Sequence, residues 1–247
     1  ILLGPDGPKA AIDPKLSIPS VAIKMSDALS IILESENGDI DEYHSKQILS
    51  EAGIPVVEEQ LVLTIEEAKA AALHFGFPVV VKGLMKGASH KTELGLVHLG
   101  IDSTAGIELS FDRLLAAMDG KGNILVQKLI KGELEMMAGF IRDPQFGPCI
   151  MCGLGGILAE AINDTVFGVA PISFSEALDM IGRLKSQKLL NGFRGFAPVD
   201  REAFARILAG LGELGCNHPR IQEIDINPFV INNGSPVAVD GLVVLDD

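Results

Sequence analysis

A chain of 247 residues has room for one large domain or two moderate ones, and 47% hydrophobic with 21% charged residues describes a core-forming protein, not a disordered one. A formal charge of −13 argues against nucleic acid or an anionic membrane as the main partner. No apolar run approaches the roughly 20 residues of a membrane helix, and no charged-then-apolar leader opens the chain. Cys149, Cys152 and Cys216 suit a reducing compartment, so a cytoplasmic location is expected. The first two have CxxC spacing, but a strand would point them to opposite faces, which speaks against a shared metal or redox site. Because the first residue is Ile1, a longer natural chain is expected.

Residues 1–40 open with Gly4, Pro5, Gly7, Pro8, Pro14 and Pro19 and read as an arm of unknown role. A strand over 20–23 and a short helix over 27–33 are predicted in it, before a polar break at SENGDID (35–41). From Glu42 the pattern is regular. A helix bearing Ile48, Leu49 and Ala52 ends at Gly53, a natural C′ residue. A strand follows over 56–63, and Thr64 with Glu67 forms a capping box for a helix reaching Gly76. Val79 to Val81 and the alternating Val97, Leu99 and Ile101 read as strands flanking a loop. A helix near 104–118 and a strand over 124–130 complete a mixed α/β alternation.

The stretch GELEMMAGFIRDPQFGPCIMCGLGG (132–156) reads as two strands joined at Asp143-Pro144, with a glycine turn at Gly153, Gly155 and Gly156. Ser173 with Glu176 caps a helix predicted to about Gln187, and LLNGFRGFAPVD is irregular. Asp200 caps a helix with Phe204, Ile207, Leu208 and Leu211 at i, i+3, i+4 and i+7. There is no internal repeat.

Two segments carry chemistry. The loop between the Val79 and Val97 strands holds Lys82, Lys86 and Lys91, several glycines, Ser89, His90 and Thr92, with one acid, Glu93. Glycines let a backbone close on a ligand, and lysines with exposed N–H groups suit a polyphosphate; the same residues also fit a solvated hairpin tip. At the chain end, Asn233-Gly234 is a strong two-residue hairpin signal. If those two form the loop, paired positions sum to 467 and Asn227 lies opposite Asp240, with Glu223 and Asp225 on the same face. An all-oxygen set selects Mg²⁺ or a similar hard cation, or is simply a polar sheet face in water.

Lys82 on a strand, the glycine-bearing loop, HKTE at 90–93, Glu135, RDPQFGPCIMCGLGGILAE, GFRG at 192–195 and EIDINPF…AVDG together resemble the ATP-grasp domain of nucleotide-diphosphate-forming acyl-CoA synthetases. That family includes ADP-forming acetate–CoA ligases, relatives of succinyl-CoA synthetase. The resemblance covers roughly 41–246, with the motifs in order. The chain departs from it at Gly95-Leu96-Val97, where Gly-Gly-Val is usual, and at Lys86-Gly87-Ala88-Ser89, where a Ser-Pro-Asp type lead precedes the histidine.

The resemblance implies an α/β ATP-grasp fold, with two mixed subdomains over 41–130 and 131–247 clamping a nucleotide. It implies that Lys82 reaches the phosphates of ATP or ADP, with Gly87, Lys91 and Gly95 in the phosphate loop. Gln127 would start the hinge beside the adenine, Glu135 would lie near the ribose or metal, and Asn227 and Asp240 would hold Mg²⁺. Arg194, between glycines, would be a bidentate donor to phosphate or phosphohistidine, or else a surface cap. His90 would carry the phosphoryl group between distant sites. The implied reaction is acyl-CoA + ADP + phosphate ⇌ carboxylate + CoA + ATP. No GxGxxG follows a strand, so a CoA-binding, acyl-activating partner subunit or domain is expected. A non-catalytic nucleotide-sensing module and an ATP-grasp carboxylate–amine ligase are the alternatives.

Overall fold

A computed structural model describes residues 26, 30, 32–34, 37–85, 94–132, 134–156, 162–193, 195 and 197–246. Two sheets of antiparallel strand pairs organise them. The smaller has the order β2-β5-β3-β4, with β2 (Glu59–Val62), β3 (Val79–Leu84), β4 (Val97–Ile101) and β5 (Asn123–Lys128). Helices α2 (Ile65–Phe75) and α3 (Thr104–Ala117) pack on it, and both halves of the Thr64–Glu67 capping box form. Val79, Val81, Ile124 and Val126 join Ile107, Phe111 and Leu114 in one core. Alternation then sends Val80, Lys82, Leu125, Gln127 and Glu59 to the other face, where Val80 pairs Gln127 and Gln127 pairs Glu59.

The larger sheet runs β1-β11-β9-β6-β7-β8, with β10 paired to β9. Its strands are β1 (Gly38–Ile40), β6 (Leu134–Asp143), β7 (Gly147–Leu154), β8 (Thr165–Val169), β9 (Ile221–Asn232), β10 (Ser235–Ala238) and β11 (Leu242–Leu245). Helices α4 (Phe174–Arg183) and α6 (Arg201–Asn217) pack on it, while α1 (Glu42–Glu51) packs beside β11. Met136, Ala138, Phe140, Ile224, Ile226 and Phe229 share a core with Phe204, Leu208 and Leu211 of α6. The Phe204 and Phe229 rings meet edge to face, centroids 5.6 Å apart. Gly215 lets α6 pass over Phe140, where an added Cβ would lie 2.4 Å from the ring.

Three elements differ from the sequence reading. Gly38–Ile40 form a strand inside the expected polar break, because their partners are Val243 to Leu245, far along the chain. The helix expected to reach Gln187 ends at Arg183: the backbone N–H groups of Lys185 and Ser186 donate to the Asp164 carboxylate at 2.9 and 2.7 Å. A four-residue helix, α5 (Gln187–Leu190), follows. The return arm of the final hairpin is two strands, broken at Val239–Gly241. The strand expected over 20–23 lies outside the described residues, and of the helix over 27–33, residues 30, 32 and 33 are helical. Among the described residues no helix is long and apolar enough to cross a membrane.

Phe229 has no solvent exposure and sits at the centre of the larger core. Phe229→Ala is expected to lower unfolding stability by about 3–5 kcal/mol, read as a lower urea midpoint.

Candidate functional site

The open face of the smaller sheet meets α1 and the Val239–Gly241 break in a buried knot of charge. Glu42, Ser45, Lys46 and Leu49 follow one stripe of α1, so the helix points a carboxylate and an ammonium into the protein. Lys46 Nζ donates to Glu42 Oε1 at 2.7 Å, Gln127 Oε1 at 3.0 Å and the Val239 carbonyl at 3.4 Å, and it also pairs with Glu59. Lys82 Nζ donates to the same Glu42 oxygen at 2.6 Å and to the Val239 carbonyl at 2.8 Å. Every buried side-chain nitrogen and oxygen among the described residues has a partner.

Burial drives the pKa values in this knot. It pushes the Lys82 ammonium down, but the charges of Glu42, Asp240 and Glu59 outweigh it, and the net shift is upward. Lys82 therefore stays cationic. Burial pushes the Glu59 carboxyl up to about 7, against the opposing pull of Lys46.

The second half of the site lies on the larger sheet, on the face away from its core. Pairs on both sides of the break keep one register: Phe229 with Ala238, and Asp225 with Leu242, both sum to 467. Carried across the break, where the Val239 N–H donates to the Pro228 carbonyl, that register aligns Asn227 with Asp240, although no ladder pair joins the two. Burial, with the charges of Glu223 and Asp240, lifts the Asp225 carboxyl to about 6, so these acids crowd one another. Gly155 and Gly156 close over this face. The Gly156 N–H donates to Asn227 Oδ1 at 3.1 Å, and the Gly155 N–H to the Glu135 carbonyl at 2.8 Å. A Cβ on Gly155 would fall 2.6 Å from the Met136 carbonyl oxygen, and Gly156 has φ +56, so backbone crowding at the first and a left-handed conformation at the second favour glycine.

The structure thus gathers Lys82, Gln127 and Asp240 at the knot, and Glu135 with Asn227 at the glycine turn. Gly95 sits in the turn before β4 with φ +69. Gly87, His90, Lys91 and Arg194 lie outside the described residues. The sequence reading missed Glu42, Lys46 and Glu59. Its available signal was the Glu42–Lys46 pair at i, i+4, on the same side of α1 as the apolar Ile48 and Leu49. The oxygen donors of Asn227 and Asp240 fit a hard cation, and an amide oxygen that accepts one N–H keeps a second lone pair. No group of three or more His, Cys, Asp or Glu side chains able to hold a metal occurs among the described residues, so such a cation would draw other ligands from water or phosphate.

A family model described as an ATP-grasp domain matches residues 32–245. The beta subunit of ADP-forming acetate–CoA ligase I from Pyrococcus furiosus is 37% identical over 218 residues, covering 86% of this chain and 94% of the relative. ADP-forming acetate–CoA ligase I from Archaeoglobus fulgidus is 33% identical over 91% of this chain, which spans only 33% of that longer protein. A structure of acetyl-coenzyme A synthetase 1 from Ca. Korarchaeum cryptofilum superposes with a TM-score of 0.77 at 34% identity, covering 89% of this chain and 98% of that one. It holds coenzyme A and Mg-AMPPCP, with its phosphohistidine segment pointing towards the nucleotide binding site.

The knot should also be visible in stability. With Glu59 at about 7 when folded and 4.5 ordinarily, the folded chain keeps a proton that the unfolded chain loses between those pH values. Stability should therefore fall as pH rises from 4.5 to 7. Glu59→Gln is expected to remove the Glu59 share of that slope, worth up to about 3 kcal/mol, and to leave the part below pH 6 that Asp225 contributes, in urea titrations run across the range.

Proposed function

Since the chain belongs to the ATP-grasp domain family shared with the ADP-forming acetate–CoA ligases, we propose that it is the nucleotide-binding, phosphoryl-transferring half of such a ligase. The reaction is acyl-CoA + ADP + phosphate ⇌ carboxylate + CoA + ATP, with acetyl-CoA as the acyl donor. A CoA-binding, acyl-activating subunit or domain completes it. The observation that carries this reading is the buried, cationic Lys82, whose ammonium donates to the Val239 carbonyl next to Asp240 and feels the Asp240 charge.

In this reading ADP or ATP lies between the two sheets. Gln127 begins the strand end beside the adenine, Glu135 faces the ribose or the cation, and Lys82 sets positive charge against the phosphates. Gly87, Lys91 and Gly95 shape the phosphate loop. Asn227 and Asp240 would hold Mg²⁺, which supplies charge neutralisation at the phosphates. Phosphoryl transfer needs positioning and charge stabilisation more than covalent assistance, and these residues provide both.

His90 is the carrier. It takes a phosphoryl group from the acyl-activating partner on a ring nitrogen. The N–P bond then breaks as a terminal oxygen of ADP bonds to phosphorus, giving ATP and free imidazole. Arg194 would steady the phosphohistidine through paired N–H donors.

Calorimetry with Mg-ADP is expected to give binding that Lys82→Ala weakens at least tenfold; no binding by the parent below millimolar concentration would retire the nucleotide assignment. With its partner and γ-labelled ATP, the chain is expected to take up acid-labile, base-stable label that His90→Asn lacks. Normal labelling and turnover by that variant would make His90 a bystander and favour direct transfer, as in a carboxylate–amine ligase.

A further inference from the structure

The break between β10 and β11 is held by Lys82 and also by Lys46, which the functional reading leaves unused. Val239 keeps one bond to β9, its N–H donating to the Pro228 carbonyl at 3.2 Å, while its own carbonyl accepts from Lys82 at 2.8 Å and from Lys46 at 3.4 Å. The next residue is Asp240, whose Oδ1 accepts from the Gly241 N–H at 2.9 Å. Lys46 reaches this carbonyl from α1 while also holding Glu59 and Gln127 of the smaller sheet. Resting on the nucleotide-binding reading, we propose that Lys46 is a positioning residue for the metal–nucleotide site. It ties α1, the open face of the smaller sheet and the Val239 carbonyl into one arrangement, and so keeps Asp240 opposite Asn227.

Three observations support this role. The Lys46 side chain is 1% exposed, and a buried charge is costly unless fully paired, so a methionine would fill the same space more cheaply. Its acceptors belong to elements far apart in sequence, with α1 (Glu42), β2 (Glu59), β5 (Gln127) and the β10–β11 break (Val239) all represented. They also include Gln127 and the neighbour of Asp240, two residues of the proposed site. An ammonium has three protons to share among four acceptors, so it binds them as a set. Glu42 completes the device: its Oε1 accepts from Lys46 and Lys82 together, which keeps two like charges side by side at the Val239 carbonyl.

The test titrates the chain with ADP over a series of Mg²⁺ concentrations, and again in EDTA. Lys46→Met is expected to weaken Mg-ADP binding at least tenfold and raise the Mg²⁺ concentration for half-saturation several-fold, with metal-free ADP much less affected. Lys46→Arg should restore part of the loss, since a guanidinium donates to the same acceptors. Removing one partner of a buried pair is strongly destabilising, so Glu59→Gln, which keeps an acceptor oxygen for Lys46 and leaves the Glu42 bridge to Lys82 in place, is the companion variant. It should shift the Mg²⁺ midpoint in the same direction, and it decides the matter if Lys46→Met fails to fold. Folded variants with the parent's affinity and metal dependence would overturn the proposal, while a tenfold loss in Lys82→Ala would leave the nucleotide reading standing. A parent that binds no Mg-ADP would bring down both.

Discussion

The Oε1 atom of Glu42 accepts hydrogen bonds from two buried lysines, at 2.7 and 2.6 Å. Without its charge, two ammonium groups no more than about 5 Å apart would repel in a medium that screens them poorly. With it, Lys46 and Lys82 stand together, and both reach the Val239 carbonyl. Val239 still donates its N–H to the Pro228 carbonyl of β9 at 3.2 Å, but Pro228 has no N–H to return, so the Val239 carbonyl takes its donors from the two lysines instead of the neighbouring strand. The arrangement also makes Glu59 the yielding member of the knot, since its carboxyl lies near 7 and takes up a proton before the lysines give one up.

Local chemistry made much of the fold legible. Thr64–Glu67 and Ser173–Glu176 fix two helix starts through reciprocal hydrogen bonds that depend on residues three apart, and both boxes form. Asn233-Gly234 fixes the hairpin register, and the same register resumes in β11 beyond the break, so the alignment of the two arms was legible without tertiary information. What escaped depends on contacts between distant segments. Nothing near Gly38 announces Leu245 as its partner. Nothing near Lys185 announces the Asp164 carboxylate that ends a helix early. Lys46 reads as an ordinary helix lysine until Glu59 and Gln127 arrive from another sheet. The glycine turn falls between these cases. Its glycines were visible as punctuation, but one reason for them, the Met136 backbone carbonyl pressed against Gly155, is a fact of packing.

The order of elements along the chain has a further consequence. All four strands of the smaller sheet lie between Glu59 and Lys128, so a ribosome finishes that sheet as one uninterrupted stretch. The larger sheet is different, because its first strand must wait for its last: β1 pairs only with β11, and Arg220 donates to the carbonyls of Leu33 and Glu34 and to Asp246 at the far end. Contacts of such separation form late, since the loop-closure entropy must be met before they repay it. The helix that carries Glu42 and Lys46 is thus made before either sheet is complete and is among the last to find its place, beside β11. Until that happens, Lys82, Glu59 and Gln127 of an otherwise complete sheet stay open to water. Nascent chains would then mature in two stages, an early small-sheet core and a late closure around the charges.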